Sequence, residues 1–186
     1  MSTTATRTTP DGKVRLRINA VGSMIAATVD AVGAEASGFE RGDRVALPTP
    51  KRQFSDSPIV SAENLIGVPK DVTDAQVAEI LAPGLVAHAL LLRGRVISAG
   101  DRVHVTVAHS VLRDVIEAWS RALGARIVAD PADASVVIDD AARRAATEAA
   151  YRKGRLQLAA IDVFHAIRAG VFDRVQRAAR THSTAA

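Results

Sequence analysis

Alternating hydrophobic and polar side chains predict a run of short strands over the first 70 residues. Residues 13–21 place Val14, Leu16 and Ile18 on one side of the chain and polar residues on the other, which is typical of a half-buried strand. Residues 24–32 predict a second strand. Further short apolar pieces lie at residues 44–47, 59–60 and 65–66, after a turn at residues 41–43. We therefore expect a small all-β unit with many turns.

The periodicity becomes helical from residue 71. Thr73 and Gln76 have the spacing of a capping box, in which each side chain satisfies a free backbone amide of the other residue. The helix that follows is predicted to break at Pro83-Gly84, because proline removes a helical hydrogen bond, and a second helix is predicted over residues 85–93.

Residues 101–139 predict a β-α-β-β order. The apolar runs at 101–107, 126–129 and 134–138 have strand length, and residues 111–123 form an amphipathic helix that ends at Gly124. A helix between two strands favours parallel pairing. The chain from 140 to 180 is Ala- and Arg-rich and predicts helix. Its predicted core stripe is Leu158, Ile161, Phe164 and Ile167, which leaves His165 facing solvent and ends at Gly170.

Composition narrows the class of protein. The 186 residues are 48% hydrophobic and 24% charged, which is ordinary for a globular chain and excludes wholesale disorder. The net charge of +4 is spread among interleaved acids, and six aromatic residues are too few for a stacking platform, so no nucleic-acid partner is expected. Without cysteine there are no disulfides or thiolate nucleophiles. The start lacks the apolar region of a signal peptide, and no apolar run approaches the roughly 20 residues that span a membrane. We expect a cytoplasmic protein.

Several segments match one known family. They are GKVRLR (12–17), GSMIAATVDAVG (22–33), GFERGDRV (38–45), the segment 71–92 and the segment 101–125. With them the chain resembles the medium-chain dehydrogenase/reductase superfamily, in particular its zinc-free quinone oxidoreductase and polyketide enoylreductase branch. The resemblance implies an α/β fold in which a small GroES-like β-rich unit is joined to a truncated Rossmann-like parallel remnant. The expected boundaries are a disordered lead at 1–11, the β-rich unit at 12–70, linking helices at 71–100, the reduced Rossmann-like unit at 101–180 and a tail at 181–186.

The departures from the family pattern concern its nucleotide site. The family turn A-A-x-G-G-V-G corresponds to VAHSVLR at residues 107–113, where every glycine is gone. Glycines there make the tight turn and let the pyrophosphate approach the backbone. A pocket segment after Val21 and most of the Rossmann domain after Asp130 are also absent relative to the family. We therefore predict that no cofactor is used, with NADPH needed only if the chain is an active reductase.

His109, Asp114 and Arg113 are the candidate catalytic residues. His109 lies between a strand and a helix, where α/β folds place ligands, and an imidazole titrates near neutral pH. The alternative is structural: His109-Ser110 caps the helix, with Ser110 or Asp114 satisfying its amides. His88 is interpreted as a packed, hydrogen-bonded histidine, His104 receives little catalytic weight, and Asp139-Asp140 are interpreted as a polar strand end rather than paired carboxylates. No metal site is predicted.

Three functions remain open. The preferred one is a nucleotide-independent cyclase, isomerase or lyase that acts on a polyketide-like or other unsaturated small molecule. The alternative is an NADPH-dependent quinone or enoyl reductase, and the second alternative is a non-catalytic pseudoenzyme or dimerising partner. We expect a homodimer, because a short sheet leaves strand edges that need to be covered.

Overall fold

The structure is a computed structural model that describes residues 8–50, 55, 57–94, 96–151 and 156–183. Of the predicted lead and tail, residues 1–7 and 184–186 lie outside the described residues. Contacts divide the chain into two compact units, Met1–Ala78 and Glu79–Ala186. The finer boundaries expected at residues 70 and 100 stay a prediction.

The first unit is built on a five-stranded antiparallel sheet in the order β4-β1-β2-β3-β5. Its strands are β1 (Lys13–Val21), β2 (Met24–Val32), β3 (Arg44–Pro48), β4 (Ile59–Ser61) and β5 (Ile66–Gly67). The alternation predicted for β1 is confirmed, since Val14 and Leu16 are fully buried. The core of this sheet consists of Val14, Leu16, Ile25, Ala27, Val29, Val45, Leu47 and Leu65.

Arg44 links the sheet to the segment that precedes the first helix. Its guanidinium donates to the carbonyl oxygen of Pro69 at 3.0 Å and to that of Val72, and it pairs with the Asp74 carboxylate. The contacts join β3 to a segment at least 25 residues further along the chain. They are therefore tertiary bonds that fix where the helix starts.

A continuous helical stretch of 21 residues runs from Asp74 to Gly94. It begins with α1 (Asp74–Gln76), where the capping box of Thr73 and Gln76 is confirmed. The prediction that the helix breaks at Pro83-Gly84 is wrong. A π-helical segment, Val77–Leu81, precedes α2 (Ala82–His88), so Pro83 falls in the first turn of α2, where its missing N–H costs little. A second π-helical segment, Ala89–Gly94, ends the stretch.

This stretch is long and apolar enough to cross a membrane by length and composition, with a mean hydropathy of 1.6. That corrects the expectation that no apolar segment approaches spanning length. However, 72% of its most apolar window is buried inside the structure, as is usual for the core helix of a soluble protein.

The second unit contains a three-stranded parallel sheet in the order β7-β6-β8. The strands are β6 (Arg102–Val105), β7 (Arg126–Ile127) and β8 (Val136–Ile138), and the predicted parallel pairing is confirmed. The helices of this unit that follow β6 are α3 (Ser110–Ala122), α4 (Asp140–Ala150), α5 (Leu156–Arg168) and α6 (Asp173–Ser183). The expected α/β class, with a β-rich unit and a Rossmann-like unit, is therefore confirmed.

Helix α2 is the centre of the second unit, because α3, α4 and α5 all pack against it. A Cβ placed on Gly84 would lie 2.6 Å from Cγ1 of Val163, so glycine allows α2 and α5 to approach closely. Trp119 of α3 packs edge-to-face on Phe172, with ring centroids 5.6 Å apart.

The predicted core stripe of α5 is wrong in part. Leu158 and Ile161 are 61% and 50% exposed, whereas the buried face consists of Ala159, Ala160, Val163, Phe164, Ala166 and Ile167. Small alanines face the neighbouring helices because close packing leaves no room for larger residues there. His165 faces solvent, as predicted.

Candidate functional site

Three loops follow the carboxyl ends of the parallel strands, the edge where open α/β sheets bind ligands. Residues 106–109 follow β6, residues 128–130 follow β7 and Asp139 follows β8. The Thr106 amide donates to the Ile138 carbonyl at 2.9 Å, which holds the first loop beside the end of β8. The candidate residues of the sequence are concentrated at this edge.

His109 caps the helix that follows. Its Nδ1 accepts a hydrogen bond from the Leu112 amide at 3.3 Å, and its carbonyl accepts one from the Arg113 amide at 3.0 Å. The capping alternative is therefore confirmed for the segment, although the accepting atom belongs to His109 itself rather than to Ser110 or Asp114. Since Nδ1 accepts, the ring proton is on Nε2 in the neutral tautomer, and the side chain is exposed.

Arg113 and Asp114 occupy the first turns of α3 without a bond to His109. Among the described residues, no hydrogen bond or ion pair joins these three side chains to one another. Arg113 is exposed. Asp114 lies instead on a groove of about 500 Å³ between α3 and α6, with Glu117, Arg121, Asp173 and Arg174. Their catalytic roles stay a prediction.

Asp140 is the residue that sequence reasoning underrated. Its Oδ2 accepts a hydrogen bond from the Ala108 amide at 3.3 Å, and its Oδ1 accepts one from Nε of Arg143 at 2.6 Å. The bond from Arg143 is the main reason why the pKa of the Asp140 carboxyl lies below its usual range. Asp139 beside it caps α4 through the Ala142 amide at 2.8 Å. The i, i+3 spacing of Asp140 and Arg143 indicates the ion pair, but no local signal indicates the contact with Ala108.

Two other histidines of the second unit, His88 and His104, have structural partners. His88 is 3% exposed, and its Nε2 lies 2.8 Å from Oδ2 of Asp162, which confirms a packed, hydrogen-bonded histidine. Nδ1 of His104 donates to the Val128 carbonyl at 3.1 Å, between β6 and the end of β7. Within the part of the chain that the structure describes, no group of three His, Asp or Glu side chains is placed to hold a metal ion.

Two backbone amides of the turn after β6 are bonded to side chains of the protein. The Ala108 amide is bonded to Asp140 and the Leu112 amide to His109. A glycine-rich turn holds a diphosphate because bare backbone N–H groups approach it closely, and residues 107–113 contain no glycine. The turn therefore differs from a glycine-rich diphosphate turn both in its side chains and in the two amides that are already bonded.

Comparison with known proteins identifies relatives that match part of the chain. No family model matches it. The chain is 34% identical over 112 residues to a 2-haloacrylate reductase of Burkholderia, a match that covers 58% of this chain and 33% of that enzyme. It is 29% identical over 109 residues to a quinone oxidoreductase of Pseudomonas aeruginosa, covering 58% of this chain and 34% of the relative. The matches therefore span about a third of the length of these curated relatives.

Solved structures show the same fold. The crystal structure of 2-haloacrylate reductase superposes with a TM-score of 0.58 at 25% identity, covering 77% of this chain and 48% of that one. A mycobacterial protein complexed with NADPH gives a TM-score of 0.56 at 25% identity, with 71% and 52% covered. A cyclopropanase from the curacin A biosynthetic pathway shares the fold alone, with a TM-score of 0.58, 19% identity, and 72% and 53% covered.

These comparisons show what the chain is similar to and correct one prediction. The prediction that this chain uses no cofactor is wrong, because a mycobacterial protein of the same fold is complexed with NADPH. The motifs at residues 12–45 and 101–125, the β-rich unit, the parallel sheet and the reductases among the relatives all agree. The resemblance of the chain to the quinone oxidoreductases and enoylreductases of the medium-chain dehydrogenase/reductase superfamily is confirmed over part of their length.

Proposed function

We propose that the chain is an NADPH-dependent reductase that acts on quinones or on small molecules with a double bond conjugated to a carbonyl, in the cytoplasm. The observation that carries the proposal is the 34% identity to a 2-haloacrylate reductase. The parallel β6-α3-β7 unit supports it, because this is the architecture on which Rossmann-like folds bind dinucleotides.

His109 and Arg113 are the side chains proposed to act on the substrate. Nε2 of His109 is the ring nitrogen left free by the cap, and in the neutral tautomer its N–H would donate a hydrogen bond to the carbonyl oxygen of the substrate. The exposed guanidinium of Arg113, four residues on, would attract the carbonyl oxygen as it gains negative charge. Asp114 is proposed to orient a substrate from the groove that it lines.

NADPH titration with an unsaturated carbonyl substrate tests the proposal. We expect saturable NADPH binding by fluorescence or calorimetry and NADPH oxidation that depends on substrate. His109→Ala is expected to lower kcat by about 10²-fold, the usual cost of removing one hydrogen-bond donor to an oxygen that gains negative charge. His165→Ala, which removes an exposed histidine from α5, should leave kcat unchanged. Absence of NADPH binding at millimolar nucleotide would contradict the proposal.

A second candidate is ring closure or isomerisation of the same class of substrate. The side chains that fill the turn after β6 favour it, because they replace the open glycine turn of the reductases. Product analysis separates the two reactions. A reductase adds two hydrogens and consumes one NADPH per product, whereas a cyclised or isomerised product has the mass of its substrate.

A further inference from the structure

We propose that the carboxylate of Asp140 closes the turn after β6 and competes with the diphosphate of a nucleotide for the backbone amide of Ala108. This inference rests on the proposed function, since it concerns how the same edge of the sheet admits NADPH. The role that it assigns to Asp140 is to weaken nucleotide binding at that edge.

The closure is a contact between two different loops. Ala108 follows β6 and Asp140 begins α4 after β8, so 32 residues separate the partners. The Thr106 amide, bonded to the Ile138 carbonyl at 2.9 Å, brings the two loops together just before the contact. The carboxylate thus reaches the amide through the parallel pairing of β6 with β8 and not through local sequence.

Arg143 keeps the carboxylate in place. Its Nε donates to Oδ1 at 2.6 Å while Oδ2 accepts from Ala108 at 3.3 Å, so each oxygen of Asp140 has a partner. The pKa of Asp140 lies below its usual range for that reason, and the group is ionised at neutral pH. A diphosphate that approached Ala108 would therefore meet a full negative charge.

The competition has a definite sign. Like charges within a few ångströms of each other repel, so the ionised carboxylate of Asp140 weakens the binding of a diphosphate at the Ala108 amide. Removing the Asp140 charge should thus tighten binding of a diphosphate, whereas removing an acid elsewhere on α4 should not. The second bonded amide, that of Leu112, is held by a neutral imidazole and adds no such repulsion.

The experiment measures NADPH affinity and amide exchange on the same four proteins: the wild type, Asp140→Asn, Asp140→Ala and Glu148→Gln. Glu148 is an exposed acid on the same helix and gives the matched change in charge. We expect both Asp140 variants to bind NADPH about threefold to tenfold more tightly and Glu148→Gln to bind like the wild type. Without any ligand, hydrogen exchange at Ala108 should be faster in Asp140→Ala.

The possible failures are distinguishable. If no variant binds NADPH, the proposed function is wrong, and unchanged exchange at Ala108 in Asp140→Ala shows that the closing contact is wrong as well. If the wild type binds NADPH and both Asp140 variants bind with the same Kd, the inference alone is wrong. Asp140→Asn retains an oxygen acceptor for Ala108, so it provides the affinity measurement should Asp140→Ala fail to fold.

Discussion

At the scale of single residues, Asp140 links local electrostatics to the stability of the second unit. Arg143 is the main cause of its lowered pKa, and the Ala108 amide lowers it further. A carboxyl whose pKa is lower in the folded state than in the unfolded chain stabilises the fold at all pH values above its unfolded pKa. That contribution is lost as the pH falls through the lower, folded value.

We therefore predict that Asp140→Asn weakens the acid dependence of stability. Between pH 7 and pH values below about 3.8, the free energy of unfolding of the wild type should fall more steeply than that of Asp140→Asn. Urea unfolding at each pH measures the difference. Glu148→Gln should follow the wild-type slope, and an equal slope for Asp140→Asn would show that the ion pair adds no stability.

Residue roles were predictable from sequence where the cause is local. The capping box at Thr73 and Gln76 and the capped start of α3 follow from spacing within four residues. The prediction that His88 is packed is correct. Its partner Asp162 lies 74 residues further along the chain, so no local pattern indicates the contact. The contact between Asp140 and Ala108 was missed for the same reason.

At the scale of elements, strands were more predictable than the helical stretch from Asp74 to Gly94. Alternation predicted β1, because a sheet with one buried face forces a period of two. The predicted helix break at Pro83 is absent, because a π-helical segment before it places the proline in the first turn of α2. The predicted buried face of α5 was wrong in part. Close packing, as at Gly84 and Val163, favours alanines over larger apolar residues on that face.

Substitution of Gly84 tests whether the close approach of α2 and α5 requires glycine. Alanine in a helix is favoured over glycine by about 1 kcal/mol, but its Cβ would lie 2.6 Å from Val163, whose rotamer is restricted. Overpacking costs about 1–3 kcal/mol, so we expect Gly84→Ala to lower the free energy of unfolding by roughly 1 kcal/mol.

A double-mutant cycle with Val163→Ala isolates the contact. In the Val163→Ala background the clash is gone, and Gly84→Ala should stabilise the protein by about 1 kcal/mol because only the propensity term remains. Denaturant unfolding of the four proteins gives the values. Additive effects would mean that the close approach of α2 and α5 does not require glycine.

At the scale of the whole molecule, the pattern of elements predicted each unit, and the motifs predicted the resemblance to the reductases. The β-α-β-β order predicted the parallel sheet, because a helix connecting neighbouring strands returns the chain in the same direction. The prediction that no cofactor is used was wrong. It was based on the side chains of a single turn, and these do not indicate that a similar protein binds NADPH.

The outer edge of β8 is a candidate surface for pairing with a second copy of the chain. In the described part of the chain, β8 pairs with β6 alone, and Val137 on it is 51% exposed. An unprotected apolar edge favours pairing with another strand, so we expect a homodimer at micromolar concentration by light scattering. Val137→Lys should give a monomer, because lysine blocks strand pairing at edges. Val96→Lys, at an exposed valine outside the sheet, should remain dimeric. A monomeric wild type would contradict the prediction.

The π-helical segment Val77–Leu81 also bears on how this helix tolerates insertions and deletions. A π turn holds one residue more than an α turn, and each residue of an α-helix advances the chain by about 100°. Deleting one residue there would restore regular α-helix and rotate the residues before the segment by about that angle relative to the residues after it. The length of this segment is thus constrained although none of its side chains needs to contact a ligand.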